Sequence, residues 1–224
     1  NYMKQTLFSL FLAALLLSAC DAPKSPVQVI MTTSMGEIHL ELSDATPQLR
    51  DNFVKLVKEG YFDGLLFHRV IENFMIQGGD PDSRHAEAGA FLGEGGPGYT
   101  IPAEFRYPEL FHRRGALAAA REGDMVNPEK ASAGSQFYIV WGKVFTDEQL
   151  DQMQQRIENR VVFTPEIREV YKTEGGTPHL DGAYTVFGHV TQGLEVVDAI
   201  QKVATDRNNR PTEDVRILSA KIKE

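Results

Sequence analysis

Cysteine is almost missing from the chain: Cys20 is the only one, so no intramolecular disulfide can form and the fold must rest on its core. Histidines are few and scattered, at 39, 68, 85, 112, 179 and 189. No two sit at the i, i+4 spacing that puts two ligands on one helical face, and no Cys/His cluster exists, so no metal is expected. Basic residues are outnumbered, 23 Lys+Arg against 31 Asp+Glu, for a net charge of −8. A protein that neutralises phosphates needs a basic face, so nucleic acid is excluded as the default partner. His112-Arg113-Arg114 is the densest basic cluster and reads as a solvated turn. Apolar residues are plentiful. With 42% hydrophobic and 24% charged residues the chain can build a buried core, as one large domain or one domain carrying an insertion.

The N-terminal part has the pattern of a processing signal. Met3-Lys4 reads as the start, Lys4 as a positive n-region, and residues 7–17 as the apolar h-region. That run is shorter than the roughly 20 apolar residues a membrane span needs. Leu17-Ser18-Ala19-Cys20 resembles a bacterial lipobox. The resemblance implies a signal peptide over 1–20, lipidation of Cys20, and a product anchored to a membrane outside the cytoplasm, on the periplasmic side or the cell surface. A plain signal peptide with Cys20 incidental is the alternative. Residues 21–26 are polar, contain Pro23 and Pro26, and read as a tether. The folded domain is expected over 27–224.

Within that domain, residues 27–32 and 37–42 read as two strands joined at Ser34-Met35-Gly36. Thr46-Pro47 starts a helix carrying Leu49, Phe53, Leu56 and Val57, and Gly60 stops it. Further strands are expected over 66–71, 74–77, 115–119, 136–140, 185–190 and 215–222, with a second helix over 194–202. Many short strands with two flanking helices predict a mainly β fold, an antiparallel barrel closed by pairing of its terminal strands. One stretch breaks this rhythm. Thr146-Asp147-Glu148-Gln149 is a capping box followed by Leu150, Met153, Ile157 and Val161, and Thr164-Pro165 starts a second helix that ends at Gly175-Gly176. An inserted helical hairpin is expected over about 145–175, its apolar stripe serving packing.

Local strings carry a family resemblance. Phe67-His68-Arg69-Val70-Ile71 and Phe74-Met75-Ile76-Gln77-Gly78-Gly79-Asp80-Pro81 resemble the central signature of cyclophilins. Gly134-Ser135-Gln136-Phe137-Tyr138-Ile139 is similar to the second signature, and Leu180-Asp181-Gly182 with Val186-Phe187-Gly188 to the third. Gly36-Glu37-Ile38 and Gly60-Tyr61-Phe62-Asp63-Gly64 also match. The strings occur in family order over 27–141 and 179–222, with the hairpin outside them. The resemblance implies a closed eight-stranded barrel capped by two helices, with a peptide groove on its outer surface. It also implies peptidyl-prolyl cis–trans isomerase activity on proline-containing polypeptides, with no cofactor and no metal; a monomer is expected.

Carried over by residue, Arg69 is the expected catalytic arginine. Phe74, Met75, Tyr138 and Leu180 are expected to form the proline pocket. Gln77 and Gln136 are expected to hold the substrate backbone and orient Arg69, and Ala120 and Arg121 to line the groove. Four positions depart from well-known members. His179 stands in place of tryptophan, which implies weakened cyclosporin binding. Tyr138 replaces phenylalanine and adds a hydroxyl at the proline site. Tyr184 replaces histidine, and Arg121 replaces asparagine.

The chemistry suits these residue types. Rotation about a peptide bond meets a barrier of about 18–20 kcal/mol because resonance stiffens the C–N bond. A pocket that grips the proline ring, together with a permanent donor that favours the twisted amide over the planar one, lowers that barrier without covalent chemistry. Arginine is always charged and presents a fixed fork of N–H groups. The competing expectations are a non-catalytic peptide-binding chaperone using the same groove, and an envelope scaffold whose hairpin carries the function. The intact Arg69, Gln77 and Gln136 set favours catalysis.

Overall fold

Strict alternation builds the first hairpin of the computed structural model, which is described for residues 26–224. Gln28–Thr33 (β1) and Gly36–Leu42 (β2) pair antiparallel, with Thr33 opposite Gly36. Val29, Met31, Ile38, Leu40 and Leu42 all face inward and are buried. Gly36 has φ +135°, and a Cβ there would lie 2.7 Å from Val196, so the turn requires glycine. Pro47–Lys58 (α1) begins with proline as expected, but Thr46 does not cap it. The remote Glu104 carboxylate accepts from the Gln48 and Leu49 backbone N–H groups at 3.2 and 3.0 Å instead. A buried acceptor at a helix N-terminus satisfies donors that the helix itself cannot.

The chain continues through Arg69–Ile71 (β3), Met75–Gly78 (β4), Thr100–Ile101 (β5), Ala116–Ala119 (β6), Ser132–Ala133 (β7) and Phe137–Val140 (β8). Asp147–Arg156 (α2) and Pro165–Thr173 (α3) form the inserted hairpin, and Val186–Gln192 (β9), Leu194–Gln201 (α4) and Ile217–Ile222 (β10) complete the fold. Eight strands form one antiparallel sheet in the order β10-β1-β2-β9-β6-β8-β4-β3. A small β5–β7 sheet, too short for a sequence pattern to reveal, lies apart from it.

The expected closed barrel is corrected here. Its edge strands β3 and β10 form no ladder, so the sheet is an open, curled half-barrel. Residues 64–67 run across the gap, with the Phe67 N–H donating to the Val215 carbonyl at 2.9 Å and one isolated bridge between Leu66 and Arg216. These contacts cover the edges without continuing the sheet.

Both faces of the curl are buried, each by a different set of residues. The inner face packs Phe53, Phe62, Phe67, Phe137 and Phe187 with Ile76, Leu117 and Ile139, closed over by α1 and by Val197 and Ile200 of α4. Phe53 and Phe62 both meet Phe137 edge-on, at 5.7 and 5.5 Å between ring centroids, an arrangement favoured by the ring quadrupoles. The outer face carries a second cluster of Met75, Ala116, Ala118, Tyr138, Val140 and Val186. β8 therefore reads Phe-Tyr-Ile-Val with no polar alternation.

The hairpin has its own small core of Phe145, Leu150, Ile157, Val161, Phe163, Ile167 and Tyr171, against which Tyr107 and Phe111 pack. Its capping box is formed in both directions between Thr146 and Gln149. The apolar stripe is thus buried within the molecule. The solvated turn expected at 112–114 is a second correction. His112 is only 1% exposed, and Arg114 lies over the Trp141 ring at 4.2 Å. Only Arg113 is exposed, paired with Glu174 at 2.6 Å.

Candidate active site

Strand register assembles the site. Arg69 lies opposite Gln77 on β4, Gln77 opposite Tyr138 on β8, and Tyr138 opposite Ala118 on β6. Side chains two apart along a strand share a face, so Met75 joins Gln77, and Gln136 joins Tyr138. The result is an external recess of about 500 Å³. Of the expected residues, Arg69, Phe74, Met75, Gln77, Ala120, Arg121, Tyr138, Leu180 and Tyr184 border it.

Arg69 is half-buried and held by a relay. Its Nη1 donates to Gln77 Oε1 at 3.0 Å, and Gln77 Nε2 donates to Gln136 Oε1 at 3.0 Å. Gln136 Nε2 then donates to the carbonyls of Gly93 and Gly95, both at 2.8 Å. Gln136 thus orients the relay, while its amide hydrogens are already committed to the 93–95 loop. Asp80 pins the same loop through the Gly93 N–H at 2.5 Å. Among the described residues no carboxylate forms an ion pair with Arg69. Its remaining donors and its charge are available at the recess.

Arg121 is the opposite case. It lies over the Tyr184 ring at 4.3 Å, donates to the Ala183 and Glu122 carbonyls at 2.8 Å each, and pairs with Asp124 at 2.7 Å. It forms a flat wall, with its charge answered. His179 does not border the recess; it packs on the far side of Phe74, with ring centroids 5.5 Å apart. Burial, reinforced by His112, holds its imidazole down at about 4. His68 borders the recess, is buried, and has neither ring nitrogen hydrogen-bonded among the described residues. Burial lowers its pKa as well.

The hydroxyl of Tyr138, expected at the proline site, is turned away from it. The side chain is buried, and its oxygen meets His112 Nε2 at 2.9 Å behind the recess. The recess receives the ring. Phe91, Leu92, Glu94 and Asn208 also border it and were not anticipated. They lie in irregular segments where neither periodicity nor spacing signals a site. No residue of the hairpin borders the recess, so the hairpin does not shade it.

By fold this is a mainly β half-barrel with a recess on the outer side of its sheet. Residues 28–222 match the family model described as cyclophilin type peptidyl-prolyl cis-trans isomerase/CLD. A Staphylococcus epidermidis protein, named provisionally as a peptidyl-prolyl cis-trans isomerase, is 36% identical over 199 residues, which cover 88% of this chain and 92% of that protein. An Arabidopsis thaliana peptidyl-prolyl cis-trans isomerase is 34% identical over 198 residues, 88% of this chain but 24% of that protein. The crystal structure of a Cryptosporidium parvum cyclophilin type peptidyl-prolyl cis-trans isomerase superposes with a TM-score of 0.66 at 26% identity, covering 89% of this chain and 99% of that one. The chain belongs to the cyclophilin-type peptidyl-prolyl cis-trans isomerases.

Proposed function

We propose that the recess is the proline pocket of this isomerase and that Arg69 is its catalytic donor, with clients among polypeptides folding outside the cytoplasm. The observation that carries the reading is the state of Arg69: a permanent cation bordering a recess that also holds Phe74, Met75, Leu180 and the Tyr138 ring, oriented by a three-residue relay and unpaired with any carboxylate among the described residues. Another crystal structure of the Cryptosporidium parvum enzyme was determined in the presence of the dipeptide Ala-Pro, which fits a recess of this chemistry. Phe74, Met75, Leu180 and the ring of Tyr138 would grip the pyrrolidine and fix one side of the rotating bond. As the amide twists, its nitrogen regains a lone pair and the carbonyl loses resonance. An N–H fork at that point stabilises the twisted state more than the planar one.

The direct test is catalysed cis–trans exchange of a short Ala-Pro peptide, read by NMR with the full chain. Arg69→Ala is expected to lose about 100- to 1,000-fold in rate, the effect of removing one preorganised donor. Wild type without exchange, or an unimpaired variant, would reject the assignment.

The extracytoplasmic setting rests on the Leu17-Ser18-Ala19-Cys20 string, which lies outside the described residues together with the expected signal peptide and most of the tether. Several acyl chains at Cys20 would anchor the chain stably. Fatty-acid labelling that disappears in Cys20→Ser is the expected outcome; labelling unchanged by that substitution would exclude the anchor.

A further inference from the structure

Asp181 is buried, yet among the described residues no lysine or arginine pairs with it. A carboxylate withdrawn from water in this way needs strong hydrogen bonds. It has three. Oδ1 accepts from the His112 backbone N–H at 2.8 Å and from His112 Nδ1 at 2.9 Å, and Oδ2 accepts from the Tyr171 hydroxyl at 2.5 Å. The Nδ1 side of the ring faces the carboxylate, and Nε2, on the opposite side, forms a hydrogen bond with the Tyr138 hydroxyl at 2.9 Å.

The chain Tyr171–Asp181–His112–Tyr138 therefore runs from α3 of the hairpin to the ring that forms part of the recess. It holds that ring at its far end. His112 also stacks beside Tyr138 at 6.0 Å and 15°, and Tyr184 meets the ring edge-on at 6.1 Å. A second tie reaches another wall. Arg160, between α2 and α3, donates to the Asp181 carbonyl at 2.9 Å and to the His179 carbonyl at 2.8 Å, on either side of Leu180. The hairpin is thus tied to two pieces of the recess wall indirectly, to Tyr138 through Asp181 and His112 and to Leu180 through the backbone on either side of it, while bordering the recess nowhere.

We infer that the inserted hairpin is a positioning element of the isomerase site, setting the Tyr138 ring through Asp181 and His112 and the Leu180 wall through Arg160. The inference rests on the reading of the recess as the proline pocket. His112, Asp181 and Tyr171 are positioning residues, since none of them borders the recess.

The test is a double-mutant cycle on the full chain, with kcat and KM for catalysed exchange of an Ala-Pro peptide measured at a temperature where every variant is folded. Tyr171→Phe keeps the ring and the small core of the hairpin and removes one hydrogen bond. It is expected to lower kcat/KM about three- to tenfold, mainly by raising KM, since a misplaced ring weakens the grip on proline throughout. In a Tyr138→Phe background, where the link to the pocket is already cut, adding Tyr171→Phe is expected to change kcat/KM by less than about 1.5-fold. His112→Gln, whose amide reaches the Nε2 position, should recover part of the KM lost in His112→Leu. Equal losses from Tyr171→Phe in the two backgrounds, or a lowered melting temperature with KM unchanged, would show a purely structural network and overturn the positioning role. An inactive wild type would overturn the reading of the recess, and this role with it.

Discussion

The Arg69 side of the recess and the Tyr138 side are both held by relays of polar side chains. The first relay is partly exposed and is anchored in the backbone of a loop, at Gly93 and Gly95. It ends in an arginine with donors to spare. The second is buried throughout, is anchored in a helix, and leaves every strong donor and acceptor used. Its end at the recess is a ring with its polar atom turned away. On the proposed reading of the recess, the contrast follows from what each wall presents. A donor that has to answer a transient charge must keep unspent N–H groups, so its support comes from neutral amides. A wall that only grips an apolar ring needs rigidity, and buried, fully satisfied networks supply it.

If the two relays differ in this way, damage to the buried one should appear first as lost stability. Asp181→Ala is expected to have the largest such effect, about 3–5 kcal/mol in urea unfolding, because it leaves the His112 Nδ1–H and the Tyr171 O–H without their acceptor in a dry site. A loss below about 1 kcal/mol would mean that water takes the place of the carboxylate, and the contrast would fail.

Damage to the exposed relay should appear as lost rate instead. Gln77→Ala is expected to cost about tenfold in kcat with less than about 1 kcal/mol in stability, since water can reach the groups it leaves. A stability loss matching that of Asp181→Ala would make the two relays alike.

The smallest effect is in pH. His179, behind Phe74, has its pKa held at about 4 from an ordinary 6.5. The unfolded state binds more protons between those values. Stability is therefore complete above about pH 6.5 and falls as the pH drops toward 4, by about 1–2 kcal/mol after allowing for partial exposure of the ring. Unfolding midpoints at pH 7 and pH 4.5 read this directly, and His179→Phe should flatten the slope. A slope unchanged by that substitution would assign it to another group, with the buried His68 next in line.

Much of this architecture was legible in the residues. The eight strands of the main sheet and four helices follow from alternation or short apolar runs, from Thr-Pro starts and from the capping box at Thr146, with ends differing by a few residues. Nine of the expected site residues border one recess. The misreadings share a cause. Closure of the sheet depends on how far the strands twist and coil, a property of the assembled curl. Thr46 lost its capping role to Glu104, a residue 56 or fewer positions away from the helix N–H groups it accepts. His112 looked like part of a basic turn because a sequence does not say which of three adjacent polar side chains points inward.

By itself, the sequence determined the local elements, the order of the signature strings and hence the family. These rest on short-range preferences and on residue identities that do not change with context. Only the tertiary structure decided which polar side chains became relays. A hydrogen bond is made or lost within a few tenths of an ångström, and the partners of Gln136, His112 and Asp181 come from segments that meet only when the sheet curls. The same packing turned the Tyr138 hydroxyl away from the recess and brought the helical insertion up behind the residues that line it.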